Sequence, residues 1–579
     1  MKKITLLICA LISCMCQVSA QSFVSTEPQK RNVLIEEFTG RSCQYCPEGQ
    51  IVANSIESNY PDRAFVVAVH AGGLSPYSYP NLNTTIGDEL DAAFTGTSRP
   101  SAVINRSKAE EMGRTGWSYE AGVQLGQDAE VNVGGVVVVD NSSRRATIVV
   151  DAYYTGSSVS ASNYLNVYMI QDSILGSQQG ADKNPDQIVN GSYCHMHVLR
   201  SSVTPTWGDI ISPTTAGTSI RKTYTYDIPN SYNNVNVNLD NVHFLAFITE
   251  QYQDVPTRPV LNVNKLTKIQ GTFGSLAPYI INMKHSDKIS CSEENTFSAN
   301  VLNVGSQALK SFKMNVKLDG TVVDTYTWEG SVEQFEAVPV ELTIDVPAGS
   351  HDVAFEIVEA NSTNITAKSS MNVELREPVL VESQSDKMSL IIDVVQDKYG
   401  DQITWEILKS DMTVIASGGP YETIEGSTAT KLHRVSVDIP VNECVKFIIR
   451  DNAANGICCQ YGDGYYKIKG NNSVLVDGNG DFGREASHNL SIVKATGVEE
   501  NIMQLYDIYP NPAKNTLSVS GENMSQIMIY NSLGQMVKSV SCDSDNMTID
   551  VNDMNTGVYF INIVDNNGVI STNKVSVMK

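Results

Sequence analysis

Residues 503–579 alternate. Leu517-Ser518-Val519, Ile527-Met528-Ile529-Tyr530, Met547-Thr548-Ile549-Asp550-Val551, Gly557-Val558-Tyr559-Phe560-Ile561 and Lys574-Val575-Ser576-Val577 are short runs with apolar residues at every second position. Turn residues separate them, as in Asn531-Ser532-Leu533-Gly534-Gln535. A period of two gives each run one core face and one wet face, so the runs must pair as strands of a small antiparallel sandwich. Composition extends this to the whole chain. It has 40 Gly and few long stretches rich in Leu, Glu, Lys and Ala, which predicts a mostly β protein. With 41% hydrophobic and 18% charged residues over 579 positions, the chain can build several folded domains.

Charge excludes two partner classes. Asp and Glu number 64 against 41 Lys and Arg, a net charge of −23, so neither a nucleic-acid surface nor an anionic-lipid surface is expected. Residues 1–20 read as a secretory signal peptide: Lys2 and Lys3, an apolar core from Ile4, and the small residues Val18-Ser19-Ala20 before Gln21. Cleavage after Ala20 is one reading. Leu11-Ile12-Ser13-Cys14 also fits a lipobox, which would make Cys14 a lipidated N-terminus. No later apolar run reaches the ~20 residues a membrane helix needs, so no transmembrane span is expected.

The C-terminal runs also carry wording. Tyr509-Pro510-Asn511-Pro512, the Asn531-to-Gln535 turn, Gly557-Val558-Tyr559 and the terminal Lys579 resemble the type A C-terminal sorting domain of type IX secretion cargo, over residues 503–579. The resemblance implies engagement by the type IX secretion machinery, passage across an outer membrane, removal of the domain, and attachment to surface lipopolysaccharide.

Near the other end, Asn32-Val33-Leu34-Ile35-Glu36-Glu37-Phe38 reads as a strand, Cys43-Gln44-Tyr45-Cys46-Pro47 follows a turn, and Glu48 to Tyr60 reads as a helix with Ile51, Val52, Ile56 and Tyr60 near one face. Ala64 to His70 is a strand apolar enough to be buried on both faces, Pro100 precedes a third strand, and Trp117 to Asp128 reads as a closing helix. Strand, C-x-x-C at a helix start, strand, proline and strand make a thioredoxin-like plan. A helix start favours a thiolate at Cys43, and Cys46 lies one turn on, close enough to attack a mixed disulfide.

Glu36-Glu37-Phe38-Thr39-Gly40, Cys43-x-x-Cys46-Pro47, Asn105-Arg106, His195-Met196-His197-Val198-Leu199-Arg200 and Trp207-Gly208 resemble the outer membrane protein twenty-eight family over roughly 30–275. That family has a thioredoxin-like first half and a β-sandwich second half, and the resemblance implies a surface or outer-membrane protein. Similarity to thioredoxins implies Cys43 as attacking thiol, Cys46 as resolving thiol and Pro100 as the cis-proline lining a substrate groove. There is no Trp before Cys43 and no Gly-Pro between the cysteines. Two function classes stay open: thiol–disulfide exchange on protein thiols, and a non-catalytic surface adhesion or binding protein for host surface ligands, in which Cys43–Cys46 is a structural disulfide.

Other residues complete the inventory. An exported setting permits disulfides, and Cys444 with Cys458 or Cys459 is the expected staple, although vicinal cysteines cannot share one partner. His70 is expected at a loop edge, within reach of the Cys43 thiolate. His195 and His197, two apart, are expected on one face of a strand with Cys194 on the other. Asp172-Ser173-Ile174 matches a short O-glycosylation pattern. Asp- and Gly-rich turns around Asp451 and Asp463 read either as ordinary turns, with no cofactor, or as a calcium or glycan site, and Asp477-Gly478-Asn479-Gly480-Asp481 opens like a calcium loop without completing one. The expected organisation is a signal peptide (1–20), a thioredoxin-like α/β domain (28–130), a β-sandwich (131–275), an Ig-like spacer (279–376), a jelly-roll module (377–495) and the sorting domain (503–579).

Overall fold

A computed structural model describes residues 23–94, 96, 98–108, 110–250, 258–286, 288–426, 429–471, 473–495, 506–521, 524–565 and 570–579. The signal segment, with Cys14 and the cleavage site after Ala20, lies outside the described residues. The chain divides into two compact units, Met1–Val493 and Lys494–Lys579.

The first unit begins with β1 (Val33–Thr39), α1 (Cys46–Asn59), β2 (Ala64–His70), α2 (Thr85–Ala93), β3 (Ser101–Ile104), β4 (Met112–Gly113) and α3 (Trp117–Leu125). β1 pairs in parallel with β2 and antiparallel with β3, which pairs antiparallel with β4. Every residue of β1 and β2 is buried. That explains their near-continuous apolar runs, because both faces are covered. On one face, Val33 and Ile35 pack with Ala53 and Ile56 of α1 and with Trp117, Ala121 and Leu125 of α3. On the other, Leu34 and Phe38 pack with Leu90 of α2, Phe94 and Phe247. Within α1 the buried side is Gly49, Gln50, Ala53 and Ile56, while Ile51 is 45% exposed, a shift from the expected face.

The next elements are β5 (Val131–Asp140), β6 (Arg145–Tyr154), β7 (Asn163–Gln171), β8 (Ile174–Gly176), β9 (Ile188–Val189), β10 (Ser192–His195), β11 (Val198–Ser202), β12 (Asp209–Ile211), β13 (Ser219–Asp227), β14 (Ser231–Tyr232), β15 (Val235–Asn236), β16 (Val242–Glu250), β17 (Val260–Lys265) and β18 (Thr267–Gly271). The expected boundary between residues 130 and 131 does not separate two sheets. β11 pairs with β2, so one nine-stranded sheet runs β17-β16-β7-β11-β2-β1-β3-β4, with β12 beside β7. A second sheet, β13-β6-β5-β18, packs on the far part of the first through Val137, Ile148, Val167, Phe244 and Ala246. The head is therefore one edge of a larger sheet.

Residues 278–375 form three- and four-stranded antiparallel sheets around Phe297, Met314 and Phe355. Residues 379–494 form five- and four-stranded antiparallel sheets around Leu390, Trp405, Phe447 and Leu490. Cys444 does not pair with Cys458 or Cys459. It pairs with Cys291, 153 residues away, and Cys458 and Cys459 pair with each other. Ile289, Leu408 and Ile448 pack beside the long link, so what reads as a spacer is fastened to the module after it.

The second unit is a seven-stranded sandwich. Residues 507–509, 516–520 and 546–550 form one sheet, and 536–541, 524–531, 557–565 and 570–577 the other. The side chain of Asn531 accepts hydrogen bonds from the backbone of Leu533 and Gln535, both at 3.0 Å, and Gly534 takes φ +77°, so the Asn-Ser-Leu-Gly-Gln wording builds one turn.

Candidate functional site

Cys43 and Cys46 form a disulfide at the end of β1. The helix begins at Cys46, with Tyr45 as its cap and Pro47 in its first turn, where a missing N–H costs nothing. Pro100, after a cis peptide bond from Arg99, stands immediately before β3. A Cβ on Gly49 would lie 2.7 Å from the Pro100 side chain, so proline and helix meet within one turn of Cys46.

Access differs from expectation. Cys43 is 3% exposed and Cys46 is fully buried. The cover is residues 177–183, between β8 and β9. Gln178 donates from Nε2 to the carbonyls of Gly40 (3.2 Å) and Cys43 (3.0 Å). The Gln179 N–H donates to the Arg41 carbonyl at 2.8 Å, and Arg41 Nη1 donates to Ser177 Oγ at 2.7 Å. Lys183 pairs with Glu48 at 2.7 Å and sits 3.8 Å over the Tyr45 ring. Gly180, at φ +72°, approaches so closely that a Cβ there would stand 2.2 Å from the Gln44 carbonyl oxygen. Only glycine fits both demands.

Three buried ionisable groups belong to β1, β2 and β10. Glu37 sits on the α1 face of β1, where a Cβ on Gly49 would lie 3.2 Å from its Oε1. That oxygen has no partner among the described residues, and burial pushes the carboxyl up to about 8. Sequence reasoning gave Glu37 no role; the available signal was an acid on each face of a strand otherwise apolar from Val33 to Phe38. His70 is the last residue of β2 but is buried, not at a loop edge. Its ring lies 5.5 Å from that of His195, and neither nitrogen of the His70 ring has a partner among the described residues. Burial, with the Arg41 charge, holds His195 at about 4, and burial with the neighbouring His195 drives His70 well below its ordinary value. Both rings are neutral near pH 7.

β10 ends at His195, and His197 takes φ +56° beyond it, so the two histidines do not share a strand face. His197 and His243 meet Asp172 instead. Among the described residues no group of three or more His, Cys, Asp or Glu is placed to hold a metal ion. Asp451 is buried and spends Oδ2 on the Asn455 (2.9 Å) and Gly456 (3.2 Å) N–H groups, while Asp463 is exposed beside Cys458. The Asp477-Gly478-Asn479 opening is strand, not loop, and Gly478 lies flat under Tyr466, whose hydroxyl meets His488 Nε2 at 2.8 Å.

Residues 87–270 match the family model of outer membrane protein Omp28, and residues 507–578 match that of the secretion system C-terminal sorting domain, the type IX address; together these matches mark an exported protein of the outer membrane or cell surface. The first match begins after the cysteine pair. No helix among the described residues is long and apolar enough to cross a membrane. An 80-residue stretch is 41% identical to beta-agarase A of Zobellia galactanivorans, spanning 13% of this chain and only 15% of the agarase. Among solved structures, HBP35 of Porphyromonas gingivalis is 17% identical, covering 58% of this chain and 98% of that one at a TM-score of 0.36. Fibronectin(III)-like modules of Clostridium thermocellum CbhA are 11% identical, covering 42% and 94%, at a TM-score of 0.13.

Proposed function

We propose that the chain works at the cell surface as a binding protein, on a thioredoxin-like scaffold in which the Cys43–Cys46 disulfide is covered and structural. The observation that carries this reading is the 3% exposure of Cys43 under residues 177–183. A thiol that exchanges with protein disulfides must be reached by a second sulfur in line with its own. Here Gln178 occupies the carbonyl of Cys43 and Gly180 lies against Gln44. Surface lipopolysaccharide is the anchor this reading assigns after export. The direct test is reduction of insulin disulfides by the full chain under dithiothreitol. The expected rate equals that of Cys43→Ser, and turnover lost in that variant overturns the reading.

A second reading, thiol–disulfide exchange, is favoured by Glu37. A buried carboxyl below the first turn of α1, pushed up to about 8 by burial, can take the proton of a resolving thiol as the pH approaches 8 and the carboxylate forms. It requires the cover to open, and Gly180→Ala, which pushes on Gln44, would then raise the rate.

A further inference from the structure

The disulfide between neighbours stands apart from the other two. Cys458 and Cys459 lie in the turn between the strand that ends at Asp451 and the strand that begins at Tyr465. The two residues have unlike surroundings. Cys458 follows Ile457, which is fully buried in the core of residues 379–494 and whose N–H donates to the Gly480 carbonyl at 2.8 Å. Cys458 itself is half-buried against Gly480, so close that a Cβ on that glycine would stand 2.5 Å from the Cys458 Cβ. Cys459 is exposed, as is Gln460 after it. Cys459 takes φ +85°, a region an L residue enters at a cost, and its N–H donates to the Gly462 carbonyl at 2.8 Å. The other two bonds lack this opening. Cys43–Cys46 is covered, and Cys291 and Cys444 are both half-buried, Cys444 against Ile289, Leu408 and Ile448.

Thiol–disulfide exchange needs a thiolate in line with the bond, and access decides which sulfur it meets. Here exposure directs the attack to Cys459 and makes Cys458 the leaving sulfur. The incoming thiolate bonds to Cys459 Sγ. The Cys458–Cys459 bond breaks, and its electron pair goes to Cys458 Sγ, which takes a proton. The second thiol of the same donor then attacks the mixed disulfide and releases Cys459. The pair gains two electrons and two protons, and the donor dithiol becomes a disulfide. A bond between adjacent residues restrains almost none of the unfolded chain, so its opening takes little from the stability of the fold. The Cys291–Cys444 bond, by contrast, spans 153 residues. Once opened, Cys459 is also free to leave the left-handed region. Of the three bonds, the vicinal one is suited to open and close in a folded chain.

We propose that Cys458–Cys459 is a reducible surface site that accepts electrons from external dithiols, entered at Cys459. The proposal holds whether or not Cys43–Cys46 turns over. The test is graded reduction of the full chain by dithiothreitol, quenched with iodoacetamide, each cysteine being read by mass spectrometry so that free Cys194 and Cys542 are counted apart. Cys458–Cys459 is expected to open at least about tenfold faster than either other disulfide, with the melting temperature unchanged. A second measurement separates the two sulfurs. Cys458→Ser leaves Cys459 as a thiol that should react quickly with glutathione disulfide and keep the mixed disulfide, because no neighbouring thiol expels it. Cys459→Ser leaves Cys458 against Gly480 and about tenfold slower. Melting confirms that both variants fold. Earlier opening of Cys43–Cys46 or Cys291–Cys444, a fall in melting temperature when the vicinal bond alone is reduced, or equal rates in the two variants would each overturn the proposal.

Discussion

Arg106 and Glu36 form a two-pronged ion pair with no exposed surface. Nε and Nη2 meet the two carboxylate oxygens at 2.7 Å, and Nη2 also reaches the Tyr168 hydroxyl at 2.9 Å. Phe94, Trp207 and Phe247 ring the guanidinium at 5.3–5.7 Å. Glu36 belongs to β1 and Tyr168 to β7, so one arginine ties the head to the sheet that continues it. Removing one partner leaves a buried charge alone, a loss of about 3–5 kcal/mol. Arg106→Met should therefore lower the urea midpoint sharply, and adding Glu36→Gln should recover part of the loss. A midpoint within error of the native chain would show the pair to be idle.

Glu37 gives the head a pH dependence with a definite sign. Its folded pKa, about 8, is raised above the ordinary carboxylate value. Its contribution is complete below about pH 4.5 and is lost as pH rises to 8, of order 5 kcal/mol. His195 runs the other way: held at about 4, it contributes fully above pH 6.5 and loses that as pH falls towards 4. Chemical denaturation across this range should show Glu37→Gln gaining on the native chain as pH rises. Parallel curves would contradict the burial of Glu37.

The Cys291–Cys444 link closes a loop of 153 residues. Chain entropy alone assigns such a loop roughly 5 kcal/mol, and strain reduces what is realised. Cys444→Ala should lower the unfolding midpoint of residues 279–495 by several kcal/mol equivalent. Cys459→Ala, which opens the vicinal link, should cost far less.

Deleting residues 503–579 should leave the chain in the periplasm, as read by fractionation and protease shaving of intact cells. Normal surface display after the deletion would remove the address role of the tail.

What was legible in the sequence was local. The period-two runs after residue 503 and the Asn531 turn depend on neighbours a few residues apart, and each lies where the pattern put it. What was hidden is contact across long separations. Nothing near Cys43 announces that Gln178 will cover it, and nothing near Cys444 announces Cys291. His70 ends an apolar run that could have signalled burial, but its neighbour His195 comes from a strand 122 residues later in the chain. The Asp477 opening has loop-like spacing in sequence, but Asp477 to Asn479 lies in a strand with Gly478 against the Tyr466 ring, a contact made between strands.

The covered disulfide is the central claim, and alkylation tests it most directly. The full chain, reduced under native conditions, is given iodoacetamide near pH 7, and Cys43 and Cys46 are read separately by mass spectrometry. The account predicts slow labelling at both, with Cys43 speeding in Gly180→Ala as the cover is pushed off Gln44. Fast labelling of Cys43 alone in the native chain, unchanged by Gly180→Ala, would contradict it.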